Sequence, residues 1–307
     1  FNAEVKYQEF LNTKNTLFHD VKAAWYPIHE VNTLLSLHSS NRDILSSYKK
    51  LATTSFKNGK GSMVDVLRVD LMIDNVDVEI NLLKDKKKPL IVAFNRLLNR
   101  SDTTTVWIEG SIVTTEVIDL YRQDSLLIAN PNLLALDLEL KSAQSQEELA
   151  RKLGSPSLGF GLDYVFVNKG NTAVVDNGKD VVMPMITASV PIFRQKYRAA
   201  VSEAQFKQEA IRSQRSSYEN TLYAVYEATW YEFTTAKQMI ALNQSQISKS
   251  NQVITLLLAS YSNTGNEFEE VLRTQQEILK YQIAETIALT KYHTALAEID
   301  YLTSKSE

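Results

Sequence analysis

SFKNGKGSMVDVLR at residues 55–68 returns as SYSNTGNEFEEVLR at residues 260–273, in gapless register at an offset of 205. Ser55/Ser260, Asn58/Asn263, Val66/Val271, Leu67/Leu272 and Arg68/Arg273 are identical, and Asp65/Glu270 keeps an acid. At the same offset NTLFHDVKAAWY (15–26) faces NTLYAVYEATWY (220–231). An offset held over more than fifty residues marks an internal duplication. Each copy reads as a long helix, a Gly/Asn turn and a second helix running back.

Composition supports that reading. Only 9 Gly and 6 Pro occur in 307 residues, which suits a mostly helical chain. The net charge of -3 gives no general attraction to nucleic acid. With no cysteine, disulfides, thiolate metal sites and cysteine nucleophiles are excluded in this sequence. No segment approaches the roughly 20 apolar residues of a spanning helix. Phe1 lies in a helical pattern without an initiator Met or signal peptide, so a processed or trimmed product is expected.

Along the chain, Val21, Trp25, Ile28, Val31, Leu34 and Leu35 recur at helical spacing, with Pro27 expected to kink or break their helix. After the turn, Ser62 and Asp65 form a capping-box pattern, and a helix is expected to about Lys88. The run KDKKK (84–88) reads as a solvated helix end rather than a nucleic-acid or lipid-headgroup patch. Residues 101–128 break the pattern and read as a connector. Asn130-Pro131 then starts a helix that Gly154-Ser155-Pro156 stops.

The next segment changes period. Leu158, Phe160, Leu162, Tyr164 and Phe166 alternate with small or polar residues. Pro184, Ile186, Ala188, Val190 and Ile192 do the same beyond a polar loop. Two strands of about ten residues fit a transmembrane β-hairpin with its bulky face toward lipid. From 194 to 264 there is neither Gly nor Pro, which predicts a helix of about 100 Å. Its apolar stripe repeats between 3.5 and 3.6 residues, as in antiparallel coiled-coil packing.

No catalytic constellation is present, so no enzyme activity and no cofactor are expected. The histidines His19, His29, His38 and His293 lack ligand-like spacing. Met183 and Met185, two apart on one strand face, are weak candidates for a soft metal, against the plainer reading of strand filling. Asp65 and Glu270 occupy equivalent turn positions beside Arg68 and Arg273. They read either as first-turn acids favoured by the helix dipole or as pore and gate residues where several chains bring their turns together.

The VDVLR and EEVLR turns, NPNLLALDLELKSAQ (130–144) before the first strand, and SVPIF leading into RQKYRAAVSEAQ (189–205) together resemble the outer membrane efflux proteins, the TolC family. The resemblance covers nearly the whole sequence. It implies a homotrimer whose subunits share a twelve-stranded barrel in outer-membrane lipid and a helical periplasmic tunnel. It also implies that the turns, here Asn58, Gly59, Gly61, Asn263 and Gly265, form a tip docking a periplasmic adaptor (membrane fusion) protein and an inner-membrane efflux pump. Glu270 matches the acid that constricts the tunnel, whereas Arg273 stands where a second acid is expected. The family has a hairpin in each repeat and this sequence has one, so a first helix and hairpin are expected before Phe1, the alternative being a variant with an incomplete barrel.

The expected fold is therefore mainly α: long antiparallel coiled-coil-like α-barrel helices, with a transmembrane β-hairpin contributing to a trimeric β-barrel. Residues 1–100 are read as the first-repeat helical hairpin, 101–129 as the connector and 130–307 as the second repeat. The last contains the hairpin at 157–192 and the long helical hairpin at 194–304. The expected function is an outer-membrane exit duct for small molecules or metal ions in a Gram-negative bacterium, extending into the periplasm. The metal branch is suggested only by Met183 and Met185, and nucleic acid is not an expected partner. The alternative is a structural coiled-coil scaffold without transport activity.

Overall fold

The scarcity of Gly and Pro is realised, in the computed structural model, as five long helices and one hairpin among the described residues. Described are all residues except 109, 111, 115–123, 172–177, 265–266 and 305–307. In chain order the elements are α1 (Asn2–Lys57), α2 (Met63–Leu97), α3 (Pro131–Leu153), β1 (Ser157–Val165), β2 (Val181–Ser189), α4 (Gln195–Thr264) and α5 (Phe268–Leu302). A 3-10 helix, Asp124–Ala129, precedes α3. Among the described residues no helix is long and apolar enough to cross a membrane, a criterion that does not bear on strands.

Two helices outrun their prolines. α1 continues through Pro27 and α2 through Pro89, so neither the break at Pro27 nor the end near Lys88 is found. Packing explains this. Ile28 and Val31 are fully buried just beyond Pro27, and Leu83 and Phe94 are buried on either side of Pro89. Burying each such side chain contributes about 1.5–3 kcal/mol, enough to offset a proline's roughly 3 kcal/mol cost in a helix. The lysine run stays in solvent. Lys88 pairs with Asp85 at 2.9 Å, and Lys86 reaches Glu30 on α1 at 3.5 Å.

The chain divides into two compact units. One comprises residues 1–9 and 132–219, the other 10–131 and 220–307. In the first, α3 lies along the start of α4. Glu147 accepts from Arg151, Gln205 and Gln208 at 2.6, 2.9 and 2.6 Å. Arg151, then the two amides, hold its carboxyl down at about 2. This unit also carries the antiparallel β1–β2 pair, whose register sets Ser157 opposite Ser189 and Val165 opposite Val181.

In the second unit the repeats pack on one another. Leu45, Ala52, Val66, Val69, Ile254, Tyr261, Phe268, Val271 and Leu272 form one apolar core beside the two turns. Tyr261 and Phe268 meet with ring centroids 4.6 Å apart. The duplication reappears in the helix ends. Leu98 N and Asn99 N donate to Phe94 O and Arg96 O, and at the same offset of 205 Thr303 N and Ser304 N donate to Ile299 O and Tyr301 O. Asn99 and Ser304 both take left-handed backbone, at φ 53° and 56°.

Candidate functional site at the paired turns and the exposed hairpin

The first turn is built by glycine and a cap. Gly59 is left-handed at φ 69°, and a Cβ on Gly61 would lie 3.0 Å from the Cβ of Ser55, so both positions favour glycine. Lys60 N and Gly61 N both donate to Ser55 O. Ser62 Oγ then accepts from Val64 N at 3.1 Å, and Ser62 N donates to Asp65 Oδ2 at 3.4 Å. The expected capping box is present, and it occupies the Asp65 carboxylate.

The second turn is equivalent in sequence but not in chemistry. Glu267, the counterpart of Ser62, is left-handed at φ 71° and offers α5 no side-chain cap. Its carboxylate instead accepts from Ser260 Oγ at 3.2 Å. Asn263 lies in the last turn of α4, and Gly265 falls outside the described residues.

These differences decide the ion pairs. Glu270 pairs with Arg273 one turn along α5. Arg68, whose acid at the matching position is already in the cap, reaches across to Glu269 at 2.6 Å. That hydrogen bond first, and the charge of Glu269 second, raise the guanidinium's pKa further. Arg68, Glu269, Glu270 and Arg273, with Leu71 and Met72, line one open groove of about 380 Å³. Asp65 is not part of it. The equivalent positions Asp65/Arg68 and Glu270/Arg273 thus do not form equivalent pairs: one acid–arginine pair lies within a helix and the other joins the repeats. Glu269 was not singled out by sequence. The available signal was that Asp65, the acid one turn before Arg68, also completed a capping box.

On the hairpin, cross-strand partners share a face. Leu158, Phe160, Leu162 and Tyr164 lie opposite Ala188, Ile186, Pro184 and Val182, so the bulky sets of both strands coincide. That face is bare: Phe160 is 81% and Ile186 75% exposed. Phe166 lies just past the end of β1 and is exposed as well. The other face is narrow. Gly159 lies opposite Thr187, whose Oγ1 would be 2.7 Å from an added Cβ. Met183 and Met185 lie on this second face, opposite Asp163 and Gly161. Among the described residues no three His, Asp or Glu converge as a metal site. Asp180 closes the hairpin, accepting from Tyr164 Oη and, at 3.1 Å, from Val167 N.

A hairpin with one bare bulky face, in a chain that also holds a duplicated helix–turn–helix, agrees with a family model described as "Outer membrane efflux protein", which matches residues 123–304. The chain belongs to the outer membrane efflux protein family. Membership puts it in the Gram-negative outer membrane, extending into the periplasm, and bears out the resemblance carried by the NPNLLALDLELKSAQ and EEVLR segments.

Solved structures share the outer membrane efflux protein fold. A membrane protein from Pseudomonas aeruginosa is 16% identical with a TM-score of 0.72; the match covers 98% of this chain and 72% of that one. The outer membrane protein VceC from Vibrio cholerae is 12% identical with a TM-score of 0.75, covering 98% and 72%. The outer-membrane channel OprN is 16% identical with a TM-score of 0.76, covering 98% and 68%. No curated protein matches the chain.

Proposed function

We propose that this outer membrane efflux protein is the exit duct of a tripartite efflux system, passing small molecules or metal ions from an inner-membrane pump to the exterior. Three copies assemble, each contributing its hairpin to a shared barrel in the outer membrane. The observation that carries this reading is the hairpin register, which gathers Leu158, Phe160, Leu162 and Tyr164 with Ile186 on one exposed face. An apolar face of that extent on nine-residue strands suits lipid better than water.

Residues 1–100 and 194–304 form the periplasmic helical hairpins in this reading, and 101–129 connects the repeats. Asn58, Gly59, Gly61, Asn263 and Gly265 dock a periplasmic adaptor. The groove of Arg68, Glu269, Glu270 and Arg273 belongs to the gate, where its acids and arginines meet the passing cargo. The test is the native mass after membrane extraction. Solubility only in detergent and a trimeric mass are expected, and a monomer that leaves the membrane in salt alone contradicts the reading.

A further inference from the structure

Where the hairpin joins its two helices, within the first compact unit, the sequence is basic and apolar and carries no acid. α3 leads through Arg151, Lys152, Leu153 and Gly154 into β1, and β2 leads through Val190, Ile192, Phe193 and Arg194 into α4, which goes on with Lys196, Tyr197 and Arg198. Five cations fall within residues 151–156 and 190–198, and the first acid along α4 is Glu203.

The two joints meet in space. A Cβ on Gly154 would lie 3.2 Å from the Cβ of Tyr197, so the end of α3 is pressed against the start of α4. Around this contact Arg151, Arg194, Arg198 and Ser202 line an open groove of about 480 Å³, and no acid lines it. Lys196 lies over the Tyr197 ring, 5.7 Å from its centroid.

The cations differ in what balances them. Arg151 and Lys152 are matched one turn back on α3 by Glu147 and Glu148, at 2.6 and 2.7 Å. Arg194, Lys196 and Arg198 are all exposed, and among the described residues no carboxylate pairs with them. The neighbouring apolar side chains are equally bare: Ile192 is 83% and Phe193 85% exposed, and Leu153 on the other joint is exposed as well. A surface that is apolar toward the hairpin and cationic toward the helices matches the boundary between acyl chains and headgroups. There the apolar groups enter hydrocarbon, and guanidinium forks find phosphate oxygens that they can bind two at a time.

We propose that this groove seats the headgroup phosphate of an anionic phospholipid, held by Arg194 and Arg198, with Leu153, Ile192 and Phe193 against the acyl chains. The inference rests on the proposed insertion of the hairpin and names the lipid contact that fixes its depth. The leaflet is the periplasmic one, because both joints lead into the periplasmic helices. Arg151 stands at the rim with its charge already engaged by Glu147.

The test uses the protein extracted from its native membrane in mild detergent. Native mass spectrometry follows binding of added phosphatidylglycerol, with phosphatidylcholine as the zwitterionic comparison and inorganic phosphate as a free-anion competitor. The parent protein is expected to prefer phosphatidylglycerol and to keep it in excess inorganic phosphate. Arg194→Gln/Arg198→Gln is expected to bind it roughly 30-fold more weakly, since two cations leave a membrane-surface site. Arg212→Gln, about 21 Å further along α4, is expected to match the parent. All three arginines are exposed, and the mass of each variant shows whether it assembles. Equal binding by an assembled double variant, no preference over phosphatidylcholine, or displacement by inorganic phosphate overturns the lipid site and leaves the duct reading standing. A monomer that leaves the membrane in salt alone overturns both.

Discussion

Arg68 Nη1 donates to Glu269 Oε2 at 2.6 Å, tying the helix after the first turn to the helix after the second. Its counterpart Arg273 stays within its own helix, on Glu270. The cause lies at the cap position. Serine at 62 draws Asp65 into a capping box, which leaves Arg68 to find an acid on the other repeat.

Breaking this tie separates gating from stability. Both partners are exposed, so the pair adds little to folding. Glu269→Gln is expected to leave the thermal unfolding temperature nearly unchanged and to raise the open-channel current several-fold at fixed voltage. A current indistinguishable from the parent protein's removes the pair from the gate.

Glu270 and Arg273 predict a change of selectivity with a definite sign. Glu270→Gln leaves the Arg273 guanidinium without its in-helix partner, so the reversal potential in a salt gradient moves toward that of the anion. Arg273→Glu moves it toward that of the cation. An unchanged reversal potential in both variants places the pair outside the ion path.

Tyr261 separates volume from polarity. The side chain is 1% exposed, and its hydroxyl is buried with no hydrogen-bond partner among the described residues. Tyr261→Phe is expected to be neutral or to stabilise by about 1 kcal/mol, because it removes an unsatisfied polar group. Tyr261→Ala is expected to cost about 3–5 kcal/mol through the cavity left beside Phe268. Denaturant unfolding of the two variants distinguishes these effects.

Three histidines give opposite pH dependences. His19 is raised, chiefly by its hydrogen bond to Glu298 against the opposing effect of burial, with Asp20 adding to the rise. Its contribution is complete below the ordinary value of 6.5 and is lost as pH rises through its raised pKa. His38 and His293 are lowered, chiefly by burial. Their contribution is complete above 6.5 and is lost as pH falls through their lowered values. His19→Gln should therefore destabilise more at about pH 5.5 than at about pH 8.5, while His293→Phe should flatten the loss of stability on the acid side. Melting curves across that range carry the check.

Much of this architecture is legible in residue types. The absence of Gly and Pro from 195 to 264 fixes the single long helix α4, and the alternation from Leu158 to Tyr164 fixes β1. Ser62 and Asp65 declare the cap. What the sequence hid was decided by contacts between distant segments. Pro27 and Pro89 look like helix ends, yet buried Ile28, Val31 and Phe94 carry the helices past them. Glu269 gains its role only because α2 and α5 pack together, and nothing in the spacing along α5 marks it apart from Glu270.

The central claim, that the hairpin puts a duct into the outer membrane, is tested most directly by single-channel recording of the purified protein in planar lipid bilayers, beside Leu162→Arg. Discrete conductance steps are expected from the parent protein and none from the variant, since an arginine on the lipid face of a barrel strand costs about 2–4 kcal/mol per copy near the midplane. Conductance unchanged by Leu162→Arg, or a parent protein that inserts no channels, contradicts the account.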